Sequence, residues 1–156
     1  MGCGCRGRSL AGELIRAGHA VRGTTRSPGA TAEIEAAGAE AVVADPDRLA
    51  TLLLHIEGVS VICWLLAGAS GDPSAVAALH GPRLRSLLER LVDSPVRGFV
   101  YEGRGTVDAA ALEGGTAAVL GAAETFRMPV EIVRADPGNH AAWLADAASA
   151  VERVLA

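Results

Sequence analysis

Strand-like and helix-like segments alternate along this 156-residue chain almost without interruption, which constrains the fold more than any single motif does. Residues 20–24, 41–44, 59–66, 98–101 and 130–134 read as short apolar strands. Between them lie helical patterns. Leu10, Leu14 and Ile15 mark one helix, with Gly18 as its stop. Residues 30–37 form another, stopped by Gly38. Leu49, Leu52, Leu53 and Ile56 recur at helical spacing after Asp47, which is read as the N-cap. Leu84, Leu87, Leu88 and Leu91 repeat the pattern after Pro82, a good first-turn residue. Helical stretches over 108–127 and 140–155 complete the chain, the second preceded by a turn at Asp136-Pro137-Gly138-Asn139. Alternation of this kind builds parallel strands joined by right-handed crossovers. The expectation is one α/β domain over 1–156, a doubly wound parallel sheet of five or six strands in a three-layer arrangement.

Half the residues are apolar, but aromatics are only 3%, so the core must be built from Ala, Val, Leu and Ile. Trp64 falls in a central strand and reads as core; Trp143 either packs the last helix or serves a contact in a homodimer. The longest apolar run, 59–69, is too short to cross a bilayer and reads as a buried strand. With no basic segment leading into an apolar one, no signal peptide is read and a cytoplasmic protein is expected. The net charge is −4 and the basic residues are scattered, which argues against a nucleic-acid surface. All 14 basic residues are Arg, so no mechanism that needs Lys is open to the chain. Cys3, Cys5 and Cys63 are an odd set for disulfides, and neither a CxxC spacing nor a nearby His suggests a metal site.

Gly2-Cys3-Gly4-Cys5-Arg6-Gly7 fits G-x-G-x-x-G, with a helix pattern directly after it and a strand at residue 20. In a dinucleotide site Gly2 would permit the tight turn, Gly4 would let backbone approach a pyrophosphate, and Gly7 would allow close helix–strand packing. Cys5 and Arg6 then lie in the phosphate loop, where a helix N-terminus offers free N–H groups and partial positive charge. The next strand ends Thr24-Thr25-Arg26-Ser27 with no acid to bind a ribose 2′-hydroxyl. Arg26, with Thr25, suits a 2′-phosphate instead, so NADP is expected before NAD. Arg8 is a further candidate for that phosphate or for the pyrophosphate.

The run from Gly18 to Pro28 resembles the second strand of atypical short-chain dehydrogenases, a group that includes NmrA-like proteins and nucleoside-diphosphate-sugar epimerases. Val42-Val43-Ala44-Asp45, Leu66-Ala67-Gly68, Phe99-Val100-Tyr101 and Met128 to Arg134 resemble later parts of the same fold in the same order. The resemblance implies a Rossmann-type domain, with Asp45 facing the adenine amino group and Ala67 and Gly68 beside the adenosine and ribose. It also implies a catalytic Tyr with a Lys four residues on. The only Tyr, Tyr101, has Gly105 at that position and stands as the one catalytic candidate. Two further departures concern extent. Little chain follows the sixth strand of the family, leaving 67–81 and 102–105 as the stretches that could enclose a substrate. The family's first strand, central in its sheet, is missing ahead of Gly2. The expectation is that the natural product starts earlier, or that another segment or a partner chain fills the gap. The functions that follow are NADP(H) binding without the Tyr/Lys pair, an oxidoreductase or epimerase-like enzyme using other residues, or a non-catalytic redox sensor.

Overall fold

The structure, a computed structural model, describes residues 3–156. Helices and strands alternate in the order α1 (Cys5–Arg16), β1 (Arg22–Thr25), α2 (Thr31–Ala36), β2 (Glu40–Val43), α3 (Leu49–Leu53), β3 (Val61–Trp64), α4 (Pro73–His80), α5 (Pro82–Leu91), β4 (Gly98–Glu102), α6 (Ala109–Phe126), β5 (Val130–Val133) and α7 (His140–Leu155). Among the described residues every strand pairing is parallel, as the crossover helices require. The strands form two sheets, β1-β2 and β3-β4-β5, and no hydrogen-bonded ladder joins β1 to β3. Registers are Thr24 opposite Val42, Cys63 opposite Val100, and Val100 opposite Glu131.

Alternation along β4 decides what faces where. Phe99 and Tyr101 point into a core with Trp64, Leu84, Leu87, Leu91 and Val119. Val100 points the other way, to Leu10, Val133, Trp143 and Ala147. One helical layer is therefore α1 with α7 and the other is α5 with α6, the sheet lying between them. A smaller cluster of Ala11, Ile34 and Ala39 ties α2 to α1 beside β1. The shortage of large aromatics is met by concentration: Trp64, Trp143, Tyr101 and Phe99 are all fully buried.

Helix ends follow local chemistry. Gly18 takes φ +96° and Gly38 φ +87°, so each stop residue adopts the left-handed conformation that glycine tolerates. The Gly18 and His19 N–H groups return to the Ile15 and Leu14 carbonyls and close α1. Pro82 occupies the first turn of α5. Asn139 caps α7, its Oδ1 accepting from the Ala142 N–H at 3.2 Å.

Three expectations are corrected. Asp47 does not cap α3; Arg48 holds that position without a side-chain cap, while the Asp47 N–H donates to Asp45 Oδ1 at 3.0 Å in the preceding turn. The stretch 67–81 is not all loop, because Asp72 accepts from the Ser74 and Ala75 N–H groups at 3.0 Å each and starts α4 at Pro73. Trp143 packs α7 against the sheet and, being fully buried, does not serve a contact between copies.

Candidate functional site

Because the strands are parallel, Thr25, Trp64 and Glu102 end at one edge of the molecule, and α1 begins there. The Cys3 N–H donates to the Thr24 carbonyl at 3.3 Å and sets the start of α1 against the end of β1. Edges of this kind, where strands end and a helix N-terminus opens, are where α/β proteins place ligands.

The glycine motif is divided by the start of the helix. Gly2 lies outside the described residues. Gly4 is the N-cap of α1 and is exposed; a side chain added there would meet no atom within 4 Å. α1 begins at Cys5, inside the motif rather than after it, so Cys5 and Arg6 stand in the first helical turn. Gly7 is buried on the sheet side of that turn. No side chain caps the helix, so nothing from the chain's own side chains occupies the N-cap position.

Arg6 reaches across this edge. Its Nη2 lies 3.3 Å from Glu102 Oε1, and its guanidinium stands 5.5 Å from the Trp143 ring centroid. Glu102 ends β4 and is fully buried. Its Oε1 also accepts from Trp143 Nε1 at 2.9 Å, and its Oε2 accepts from the Ala67 N–H at 2.9 Å. One carboxylate thereby ties together α1, α7 and the turn after β3. Burial pushes the Glu102 carboxyl up, an effect that Arg6 and the two N–H donors oppose without cancelling. Gly68 sits against the same group, since a Cβ there would come within 2.8 Å of Arg6 Nη2. Nothing in the sequence marked Glu102 beyond its membership of the stretch 102–105.

The remaining candidates spread along the edge. Thr25 Oγ1 accepts from the Ser27 N–H at 3.1 Å, and Arg26 beside it is exposed. Arg8 is engaged elsewhere, with Glu33 at 2.9 Å. Asp45 follows β2, half-buried, its backbone N–H donating to Thr51 Oγ1 at 2.8 Å. Ala67 is buried, and Gly68 is exposed. Arg6, Ala67 and Gly68 are brought together with Glu102, whereas Arg26 and Asp45 stand at the ends of the other sheet.

Tyr101 is fully buried. Its hydroxyl lies 2.7 Å from His80 Nδ1, and the other ring nitrogen of His80 lies 3.2 Å from the Leu66 carbonyl oxygen. Gly115 of α6 packs on the hydroxyl so closely that a Cβ could not be accommodated. Burial raises the phenol above its ordinary range and lowers the imidazole of His80, which favours the neutral form of both. Tyr101 is a core residue with a satisfied hydroxyl rather than a group presented to a substrate. Among the described residues no cluster of His, Cys, Asp or Glu could hold a metal ion. No helix is long and apolar enough to cross a membrane.

No protein-family model matches the chain, and no curated protein matches it. Solved structures do. The chain is similar to triphenylmethane reductase from Citrobacter sp. complexed with NADP(H), with a TM-score of 0.64 and 16% identity over 84% of this chain and 46% of that one. A second structure, from work on bioremediation of triphenylmethane dyes by the same reductase, matches with the same TM-score and identity, over 84% and 45%. The chain thus spans about half the length of these neighbours. The likeness establishes a Rossmann-like α/β fold.

Proposed function

We propose that the chain is a dinucleotide-binding domain that takes NADP(H) in preference to NAD(H), of the atypical short-chain dehydrogenase type without the Tyr/Lys pair. The observation that carries the reading is the edge at which the exposed, unobstructed Gly4, the uncapped start of α1 and the ends of three strands meet. A phosphate there would receive backbone N–H groups and the positive end of α1, and Gly4 leaves room for its approach. Triphenylmethane reductase, which shares the fold, is described in complex with NADP(H). In this reading Gly4, Cys5, Arg6 and Gly7 form the phosphate loop, with Gly2 leading into it. Thr25 and Arg26 hold the 2′-phosphate, Asp45 contacts adenine, and Ala67 and Gly68 line the ribose.

A bound nicotinamide would supply hydride chemistry; the residues named bind and orient. The burial of Tyr101 favours a binding or redox-sensing role over catalysis through that phenol. Calorimetric titration of the chain and of Arg26→Ala with NADPH and NADH tests the reading. NADPH should bind more tightly than NADH. Arg26→Ala should weaken NADPH by about tenfold or more, the loss of one charge-assisted hydrogen bond, and leave NADH unchanged. Failure of both nucleotides to bind, or equal effects of Arg26→Ala on the two, would overturn it.

A further inference from the structure

Between β1 and β3 the molecule holds a cavity of about 670 Å³. Leu10 and Leu14 of α1 and Val151 of α7 line one face; Leu52 of α3 and Leu87 of α5 line the other. It is therefore bounded as a strand is bounded in a three-layer sheet, by a helix layer above and below and a strand on each side. Its size agrees. A strand residue rises about 3.3 Å, lies about 4.8 Å from its neighbours and fills a layer about 10 Å thick, or about 160 Å³ in all. The cavity has room for about four such residues.

The flanking backbones point the same way. Val21 and Thr25 turn their carbonyls to β2, accepting from the Glu40 and Ala44 N–H groups. The alternation of a parallel ladder then turns Arg22 and Thr24 toward the cavity. On the other side the Ser60 carbonyl accepts from Arg97 and Gly98 toward β4, so Val61 faces the cavity. One rung of a ladder is already present, the Cys3 N–H donating to the Thr24 carbonyl at 3.3 Å. That rung fixes the direction in which a strand would have to run to lead into α1.

We propose that this slot is a receptor for one β-strand, an extended segment of about four apolar residues joined ahead of Met1, running parallel between β1 and β3 and leading into Cys3. Such a strand would be covered on both faces, so it must be apolar at successive positions rather than alternating. It would join two sheets into one and convert two inner edges into ladders. This inference is independent of the dinucleotide reading.

The test compares the 156-residue chain with two versions extended ahead of Met1, one by Val-Ile-Val-Val and one by Asp-Pro-Ser-Pro. The second keeps the length but is polar and lacks the proline N–H donors. Amide hydrogen exchange is read at Arg22, Thr24 and Val61, with thermal melting as the second measurement. The apolar extension should slow exchange at those amides at least tenfold and raise the melting midpoint, and the polar one should do neither. Equal effects of the two extensions, or none from either, would overturn the proposal. So would slowing in the unextended chain that appears only as protein concentration rises, because the occupant would then be a second copy.

Discussion

Arg6 of α1 and Glu102 of β4 meet at 3.3 Å across the edge where the strands end, with the carboxylate side chain fully buried and the guanidinium 32% exposed. The arrangement is asymmetric. Glu102 has exchanged water for Arg6, the Trp143 N–H and the Ala67 N–H, whereas Arg6 retains access to solvent. Removing Arg6 leaves a buried charge with two neutral donors; removing the charge of Glu102 leaves a cation that can turn to water.

Arg6→Ala is accordingly expected to destabilise the chain by about 1–3 kcal/mol, and Glu102→Gln to cost less. The double variant should recover part of the Arg6→Ala loss. Urea melts of the four chains form the cycle that measures the coupling. Strict additivity would show that the pair is not an energetic unit.

Two glycines near this group should respond differently to the same substitution. At Gly68 an added methyl meets Arg6 Nη2 at 2.8 Å, the far end of a flexible side chain that can move. At Gly105 it meets the backbone of Ala67, whose carbonyl is fixed by the Val107 N–H at 3.0 Å. Gly105→Ala should cost about 1–3 kcal/mol, as overpacking does, and Gly68→Ala less than about 1. Thermal melts of the two variants decide, and a larger loss at Gly68 would contradict the geometry.

His80 gives the fold an acid sensitivity. Its imidazole is lowered by burial, so the unfolded chain takes up this proton first as pH falls. The contribution of neutral His80 is complete above the unfolded value near pH 6.5 and declines as pH falls toward the lower folded value. Across that window the slope is at most about 1.4 kcal/mol per pH unit for this single proton. His80→Gln retains groups able to bond Tyr101 and Leu66 but does not titrate. Denaturant melts between pH 5 and 7 should show a shallower dependence in the variant; parallel profiles would refute the assignment.

The three thiols should separate by exposure. Cys5 is exposed, Cys3 is half-buried, and burial raises the thiols of both Cys3 and Cys63. Mass spectrometry during iodoacetamide labelling of the folded chain should find Cys5 modified first and Cys63 last, because the thiolate is the reactive form. Early modification of Cys63 would mean that β3 opens more readily than its place in the fold allows.

The alternation of elements was legible because short-range chemistry governs it. Gly18 and Gly38 stop helices by their permitted φ, Pro82 opens one, and the apolar spacing of Leu84, Leu87, Leu88 and Leu91 points one face of α5 at the sheet. α4 was missed although Asp72-Pro73-Ser74 carries a start signal, because Ala-, Gly- and Ser-rich flanks give little periodicity. The glycine motif was visible as spacing, but the entry of α1 inside it depends on backbone geometry at Gly4. The Arg6–Glu102–Trp143 group was not legible at all. Its members come from three distant segments, and an acid at a strand end reads as solvent-facing until α7 is known to cover it.

The division of the sheet also bears on cooperativity. β1, β2 and α2 are fastened to the rest largely through α1 and a cluster built on two alanines and Ile34, while β3, β4 and β5 share the large aromatic core. The amino-terminal half is therefore a separate foldon of lower local stability, free to open while the carboxy-terminal half stays folded. Thr25, Arg26 and Asp45 ride on that foldon and Glu102 on the other, so a ligand that touched both would weld two cooperative units into one.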